Sequence, residues 1–225
     1  LRNSSDFGVP QNRPRVYIVA FSRAYFGQHI SILPKEAPCK RSRTPVFENL
    51  KDVLDEKVDP RFFLSSGYLE TLEKHIVTQH DKGYGFGYCI VNAPEIKNPI
   101  ANTLLATGGS GRERNLIYDP INGASCAGTS VKGKYSPIND KYIRTMTPNE
   151  WGRLQGFIGY AFVDENGADQ FSFPEGIPNV QKFKQFGNSV TIPVIEEYAI
   201  FIQKCCDMMY SSFSEIEKRI FSMYG

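Results

Sequence analysis

The apolar positions of this chain gather into a few periodic stretches. Arg15 to Phe21 reads Arg-Val-Tyr-Ile-Val-Ala-Phe. The run is almost wholly apolar and rich in Val, Ile and aromatics, which predicts a strand covered on both faces. Leu69, Leu72 and Ile76 recur at helical spacing within 69–79 and predict a short amphipathic helix. Thr147-Pro148-Asn149-Glu150 predicts a helix start, with Thr147 as cap, Pro148 at the first helical position and Glu150 completing a capping box. Gly156 then ends that helix. After Ser189 a longer helix is expected, its apolar stripe marked by Ile192, Ile195, Tyr198, Ala199 and Ile202, with Pro193 tolerated in the first turn. Phe213, Ile216, Ile220 and Phe221 predict a last amphipathic helix.

The intervals are less regular. Asp6 to Pro10 is turn material. Residues 31–45 hold three prolines and the basic run Lys35, Lys40, Arg41 and Arg43, and read as a linker whose charge is either a solvated face or a contact for an anion. From Asp81 to Asn139 glycines are dense and no long helical period survives. This predicts a loop-rich, β-leaning region of the kind that carries recognition surfaces. Residues 164–176 read as a loop. No internal repeat or low-complexity tract is present.

At 225 residues the chain can form one large domain or two small ones. Its 41% hydrophobic content is ordinary for a globular protein, and no apolar run is long enough to span a bilayer. Leu1 to Asp6 lacks the basic start and apolar core of a secretory signal, so a cytoplasmic place without membrane association is expected. The chain opens on what reads as a loop, without methionine, as a fragment would. Basic and acidic residues nearly balance, 26 against 24, which neither demands nor excludes a nucleic-acid partner. Five cysteines without a CxxC pair argue against a zinc site or a disulfide framework.

Three constellations could carry chemistry. In Gln11-x-Arg13-x-Arg15 alternate residues of an extended chain share one side, so two guanidiniums form a fork for anionic or carbonyl oxygens. They could equally be two surface arginines. Gly187-Asn188-Ser189-Val190 lies just ahead of the expected long helix. Its backbone N–H groups and short polar side chains suit a carboxylate or phosphate, or serve simply as a cap. In the stretch 102–114, Gly108 and Gly109 would let backbone approach a base or phosphate closely. Arg112 and Arg114 there could read guanine edges or grip phosphate, the alternative being a hairpin with solvated arginines. No Gly-Lys-Ser/Thr follows, so a phosphate-binding P-loop is not supported.

With Arg144 to Phe157 between them, containing Thr-Pro-x-Glu and Arg-Leu-Gln-Gly-Phe, these motifs stand in an order that resembles the closing part of a DNA cytosine-5 methyltransferase of the bacterial restriction–modification type. The resemblance is firm at both ends of the chain and weak in the middle. It implies an α/β architecture: the end of a Rossmann-like, S-adenosylmethionine-dependent methyltransferase domain plus an inserted β-rich target-recognition domain. The implied boundaries are 1–30 for the terminal strand region of the catalytic domain, 31–178 for the recognition domain with its supporting segment, and 179–225 for helices returning to the catalytic domain.

By the same resemblance, Arg15 contacts the flipped cytosine and Arg13 the DNA backbone. Thr107, Gly108, Gly109, Arg112 and Arg114 approach double-stranded DNA. Asn188 and Ser189 close over S-adenosylmethionine, and Arg144 to Phe157 is mostly architectural, with Arg153 paired to an acid or carbonyl. No metal is implied. The family's nucleophile follows a proline, well upstream of the Gln-x-Arg-x-Arg motif. Cys39 follows Pro38 but lies after that motif, beside Lys40 and Arg41, so it is not expected to be the nucleophile. The family's Glu-Asn-Val and early glycine-rich cofactor loop are not found here either. The chain alone is therefore expected to be inactive, and its partner is an N-terminal catalytic portion, on the same polypeptide or a separate subunit. Its expected cytoplasmic place is in association with the nucleoid, and a stand-alone sequence-specific DNA-binding module without catalysis is the alternative.

Overall fold

The structure is a computed structural model and describes residues 1–82, 89–107, 115–215 and 217–218. Six short strands are found among them: β1 (Arg2–Asn3), β2 (Gln11–Asn12), β3 (Pro14–Arg15), β4 (Ala101–Asn102), β5 (Leu116–Tyr118) and β6 (Ile143–Thr145). The helices are α1 (Arg23–Phe26), α2 (Ser66–Asp81), α3 (Pro120–Gly123), α4 (Pro148–Gln155), α5 (Asn179–Asn188) and α6 (Ile192–Ser211). β1 pairs antiparallel with β3, β2 parallel with β4, and β5 antiparallel with β6. The chain thus changes partner between Asn12 and Pro14, from a segment about ninety positions downstream to its own first residues.

The central core joins Leu50, Val53, Leu104, Ile117 and Met146 to Trp151 and Leu154 of α4 and to Phe183 and Phe186 of α5. Phe157, Phe171 and Phe173 pack around Phe186 with ring centroids 5.2–5.8 Å apart. A second cluster forms where α2 lays Leu69 and Leu72 on Leu116 and Ile143, as the helical spacing predicts. α4 also begins as expected. Thr147 Oγ1 accepts from the Glu150 amide (3.2 Å) and Glu150 Oε2 accepts from the Thr147 amide (2.8 Å). The helix ends on Gly156 at φ 79°, a left-handed position that favours glycine.

Two expectations need correction. The run 15–21 is not a strand covered on both faces. Beyond Arg15 it has no ladder partner among the described residues. Tyr17 and Val19 pack on Phe7, Val194 and Tyr198, whereas Val16 and Ile18 are 70% and 87% exposed. The alternation is that of a strand with one face seated on α6 and the other face bare. The apolar stripe expected on α6 is likewise turned. Val194, Tyr198, Cys205 and Met209 are buried, while Ile195 and Ile202 are 40% and 39% exposed. The helix is apolar on two sides, and among the described residues only one of them is covered. α5, on residues without a clean apolar period, was not expected as a helix. Of the predicted last helix Phe213 is buried, and Ile216, Ile220 and Phe221 lie outside the described residues.

Candidate functional site

The three motif segments meet at one polar junction. β2 brings Gln11 inward, where its Nε2 donates to the Leu154 carbonyl (3.0 Å). Two positions on, Arg13 points to the same side and is only 4% exposed. Its Nη1 donates to the Leu104 carbonyl (2.8 Å), and its Nη2 to the carbonyls of Gly187 (3.1 Å) and Ser189 (2.7 Å). No carboxylate pairs with it among the described residues. Burial, and then the repulsion of Arg15, push the Arg13 guanidinium down to about 10. Gln11 and Arg13 thus share a side as predicted, but Arg15 does not join them. It is half-buried in β3, opposite Arg2, and its Nη1 donates to the neighbouring Pro14 carbonyl (2.7 Å).

Gly187 is held against the other arm of the junction. A Cβ there would lie 2.4 Å from the Leu105 carbonyl carbon, so only glycine permits this approach. Around the turn, Gln155 Nε2 donates to the Phe186 carbonyl (3.0 Å) and Thr191 Oγ1 donates to Gln155 Oε1 (2.9 Å). The hydroxyls of Thr191 and Ser4 are 2.8 Å apart. Asn188 is the last residue of α5 and is exposed. Ser189 Oγ donates to the Phe186 carbonyl (2.7 Å) and so ties the turn to itself.

The remaining predicted residues are placed as follows. Thr107 is exposed and sits at the edge of the glycine-rich stretch. Gly108, Gly109, Arg112 and Arg114 lie outside the described residues. The stem of that stretch is firmly framed, because the Asn102 amide donates to Asn115 Oδ1 (2.6 Å) and Asn115 Nδ2 donates to the Asn102 carbonyl (3.0 Å). Thr103 Oγ1 donates to the Asn12 carbonyl (2.8 Å) and ties the stem to β2.

The basic run gives two of its charges to α6. Arg41 pairs with Glu196 (3.1 Å) and the Tyr160 hydroxyl (2.9 Å), and Arg43 with Glu196 (2.8 Å). The Tyr160 hydroxyl also donates to Glu196. Arg153 pairs with Asp55 (2.6 Å) and the Val53 carbonyl (3.0 Å), the architectural role expected of it. Sequence reasoning missed Arg144. It is fully buried in β6, between Glu150 (2.8 Å) and Asp119 (2.7 Å). Its signal was an arginine set among Ile143 and Met146, six positions before the capping-box glutamate.

The model of the C-5 cytosine-specific DNA methylase family matches residues 1–204. The chain belongs to the C-5 cytosine-specific DNA methylase family. It is 37% identical to the type II methyltransferase M.HpaII of Haemophilus parainfluenzae over 195 residues, which are 86% of this chain and 47% of that protein. It is 32% identical to the type II methyltransferase M.SsoII of Shigella sonnei over 196 residues, 87% of this chain and 41% of that one. The chain therefore spans less than half the length of these curated relatives. The solved methyltransferase EhMeth of Entamoeba histolytica aligns over 95% of this chain and 52% of its own, at 15% identity and a TM-score of 0.49.

C-5 methylases of DNA are α/β enzymes that take their methyl group from S-adenosylmethionine. Asn188 presents an exposed amide beside a turn that Arg13 and Ser189 fix from within. Among the described residues no helix is long and apolar enough to cross a membrane.

Proposed function

We propose that this chain is the closing portion of a DNA cytosine-5 methyltransferase. It supplies target recognition, one wall of the flipped-cytosine pocket and the closing edge of the S-adenosylmethionine site, and it works with a portion that carries the nucleophile. One observation carries this reading. The run 16–20 is seated on α6 by Tyr17 and Val19 and leaves Val16 and Ile18 bare, and α6 leaves Ile195 and Ile202 bare. An alternating apolar run with one bare face and, among the described residues, no ladder partner, beside a helix with a second apolar face, suits one border of an α/β sheet. The nucleophile-bearing portion supplies the sheet.

In this reading the target cytosine leaves the duplex, because its carbons 5 and 6 are reached only from the ring face. Arg15, half-buried at the end of the paired segment, donates to the carbonyl oxygen on carbon 2 of the extruded base and holds it in plane. For Arg13 the burial argues against the backbone contact expected above, since the side chain is nearly out of reach of solvent and donates to three backbone carbonyls of the chain itself. Thr107, Gly108, Gly109, Arg112 and Arg114 form the loop that meets double-stranded DNA. Asn188 hydrogen-bonds the cofactor, and Ser189 keeps the turn closed. S-adenosylmethionine, when bound, supplies the methyl group. The recognition domain occupies 31–178, with 1–30 and 179–225 on the catalytic side, and the assembled enzyme acts on cytoplasmic DNA.

The test combines the chain with the nucleophile-bearing portion of a type II relative and follows labelled methyl transfer to mixed-sequence duplex DNA. Transfer is expected only from the combination. Ile18→Asp should weaken association by about tenfold or more, since it would bury an unpaired carboxylate at the seam. Labelled DNA from the chain alone, or association indifferent to Ile18→Asp, refutes the reading.

A further inference from the structure

Lysines are mostly exposed, because the ammonium is costly to withdraw from water. Three of the described lysines are half-buried, Lys134, Lys182 and Lys218, and of these only Lys218 pairs with an acid, Glu215. Burial pushes the Lys134 ammonium down from its usual value. Lys182 lies over the Phe173 ring, 5.4 Å from its centre.

These two lysines stand at the ends of one surface. Lys182 lines a cleft with Lys57, Val58 and Arg61, whose acids are Asp55 and Asp59. Both acids are engaged. Asp55 pairs with Arg153 (2.6 Å) and accepts from Thr147 Oγ1 (2.5 Å), and Asp59 pairs with Arg61 (2.9 Å). Val58, on the cleft wall, packs on Phe63, Cys126 and Ile138, and Val131 packs on the same cluster. Val131 begins a turn that Lys134 closes, its amide donating to the Val131 carbonyl (3.1 Å), with Gly133 at φ 89° in the third position. The turn is held from below by the Ile138 amide on the Thr129 carbonyl (2.9 Å) and the Gly67 amide on Ser136 Oγ (2.9 Å). Lys132 and a fully exposed Tyr135 stand in solvent beside Lys134. Between Asp119 and Asp140 the chain has no acid, and the two lysines of this turn are its only charges.

We propose that this strip, Lys57 and Lys182 in the cleft and Lys132, Lys134 and Tyr135 at the turn, is a contact for the phosphate backbone of duplex DNA, made entirely outside the glycine-rich stretch. The proposal rests on the function argued above, which makes DNA the substrate. Ammonium groups act on phosphate as point charges and carry no base preference. A half-buried ammonium is less screened by salt than one in open water, so each phosphate it meets counts for more. Tyr135 adds a hydroxyl donor for phosphate and a flat face for a sugar.

The test measures duplex binding by fluorescence anisotropy across salt concentrations, using the complex with the nucleophile-bearing portion. Each phosphate contact contributes about 0.9 to the slope of log affinity against log salt. Lys57→Gln, Lys134→Gln and Lys182→Gln together should lower that slope by about 2 to 3 and weaken binding at least about tenfold near physiological salt. The loss should be equal for a sequence that the complex methylates and one that it does not. Arginine at the same three positions should restore the slope, which a packing role would not do. Glutamine at Lys74, Lys204 and Lys218, three lysines off the strip, should leave the slope nearly unchanged. If this control lowers the slope as much, the effect is that of net charge and the proposal is overturned. A loss confined to the methylated sequence would mean base readout and overturns it too. An unchanged slope in the first variant, as a strip serving an acidic protein would give, overturns it and leaves the functional reading intact. A wild-type complex that binds no duplex at all removes both.

Discussion

Replacing Arg144 by methionine should be the most damaging single change away from the functional junction. Glu150 is fully buried, and its two oxygens accept from Arg144 at 2.8 and 2.9 Å. Its other donors are the amides of Asp55 (2.9 Å) and Thr147 (2.8 Å). Methionine fills the volume and removes both charge-assisted bonds, leaving a buried carboxylate on two amides. Removing one partner of a buried pair costs about 3–5 kcal/mol. For a chain of this size each kcal/mol lowers the melting temperature by about 2–4 °C, so a fall of about 6–20 °C is expected by calorimetry.

The double change Arg144→Met with Glu150→Met should recover part of the loss, because it removes the stranded charge. The acid limb of stability should change as well. Burial pushes the Asp119 carboxyl up, but hydrogen bonds from Asn122 and Arg144 outweigh this and hold it below the usual range. A carboxyl depressed on folding stabilises fully above its unfolded value of about 3.9, and that contribution disappears as pH falls through the folded value. The wild type should therefore lose stability below about pH 4 more steeply than Arg144→Met. A loss under about 1 kcal/mol, the scale of an exposed pair, would show that the amides alone support Glu150 and would refute this account of the triad.

Two further outcomes concern the assembled enzyme. Arg15→Ala should impair methyl transfer while cofactor binding stays nearly intact, and Asn188→Ala should raise the cofactor dissociation constant instead. Each lost charged hydrogen bond is worth about 1.5–3 kcal/mol where it is made, and calorimetric titration of both variants would expose an equal loss, which contradicts the separation of roles. Arg112→Ala or Arg114→Ala should reduce discrimination between target and non-target duplexes by about 1–3 kcal/mol. Binding measured across salt concentrations would demote either arginine to a phosphate contact if specificity held and only the salt slope fell.

What could be read from the residues depended on how local the cause was. The start and stop of α4 need only Thr147, Pro148, Glu150 and Gly156, all within one short segment, and the sequence pattern was sufficient. The meeting of the Gln-x-Arg-x-Arg and Gly-Asn-Ser segments rested on a resemblance, since nothing in either segment names the other. Spacing put Gln11, Arg13 and Arg15 on one side, yet the switch of strand partner after Asn12 sends Arg15 elsewhere. The face of α6 was misjudged for a related reason. Ile195 and Val194 are equally apolar, and only the seating of Phe7 and Tyr17 decides which of them is covered. The pairing of Arg144 was harder to read, because its two acids come from positions before and after it that no periodicity links.

The long middle stretch departs from and returns to a single anchor. The Val46 and Phe47 amides donate to the Gly8 carbonyl, Arg41 and Arg43 grip α6, and Arg13 reaches Gly187 and Ser189. Everything between Phe47 and Phe186 is thus a closed excursion whose ends are already fixed. Closure entropy grows slowly with length, by about 0.6 kcal/mol for each doubling. Such an excursion can be lengthened, shortened or replaced at small expense to the anchor, provided a stem like Leu104–Ala106 and a glutamine like Gln155 still dock on it. Such a chain can vary the excursion while the residues that hold its two ends stay as they are.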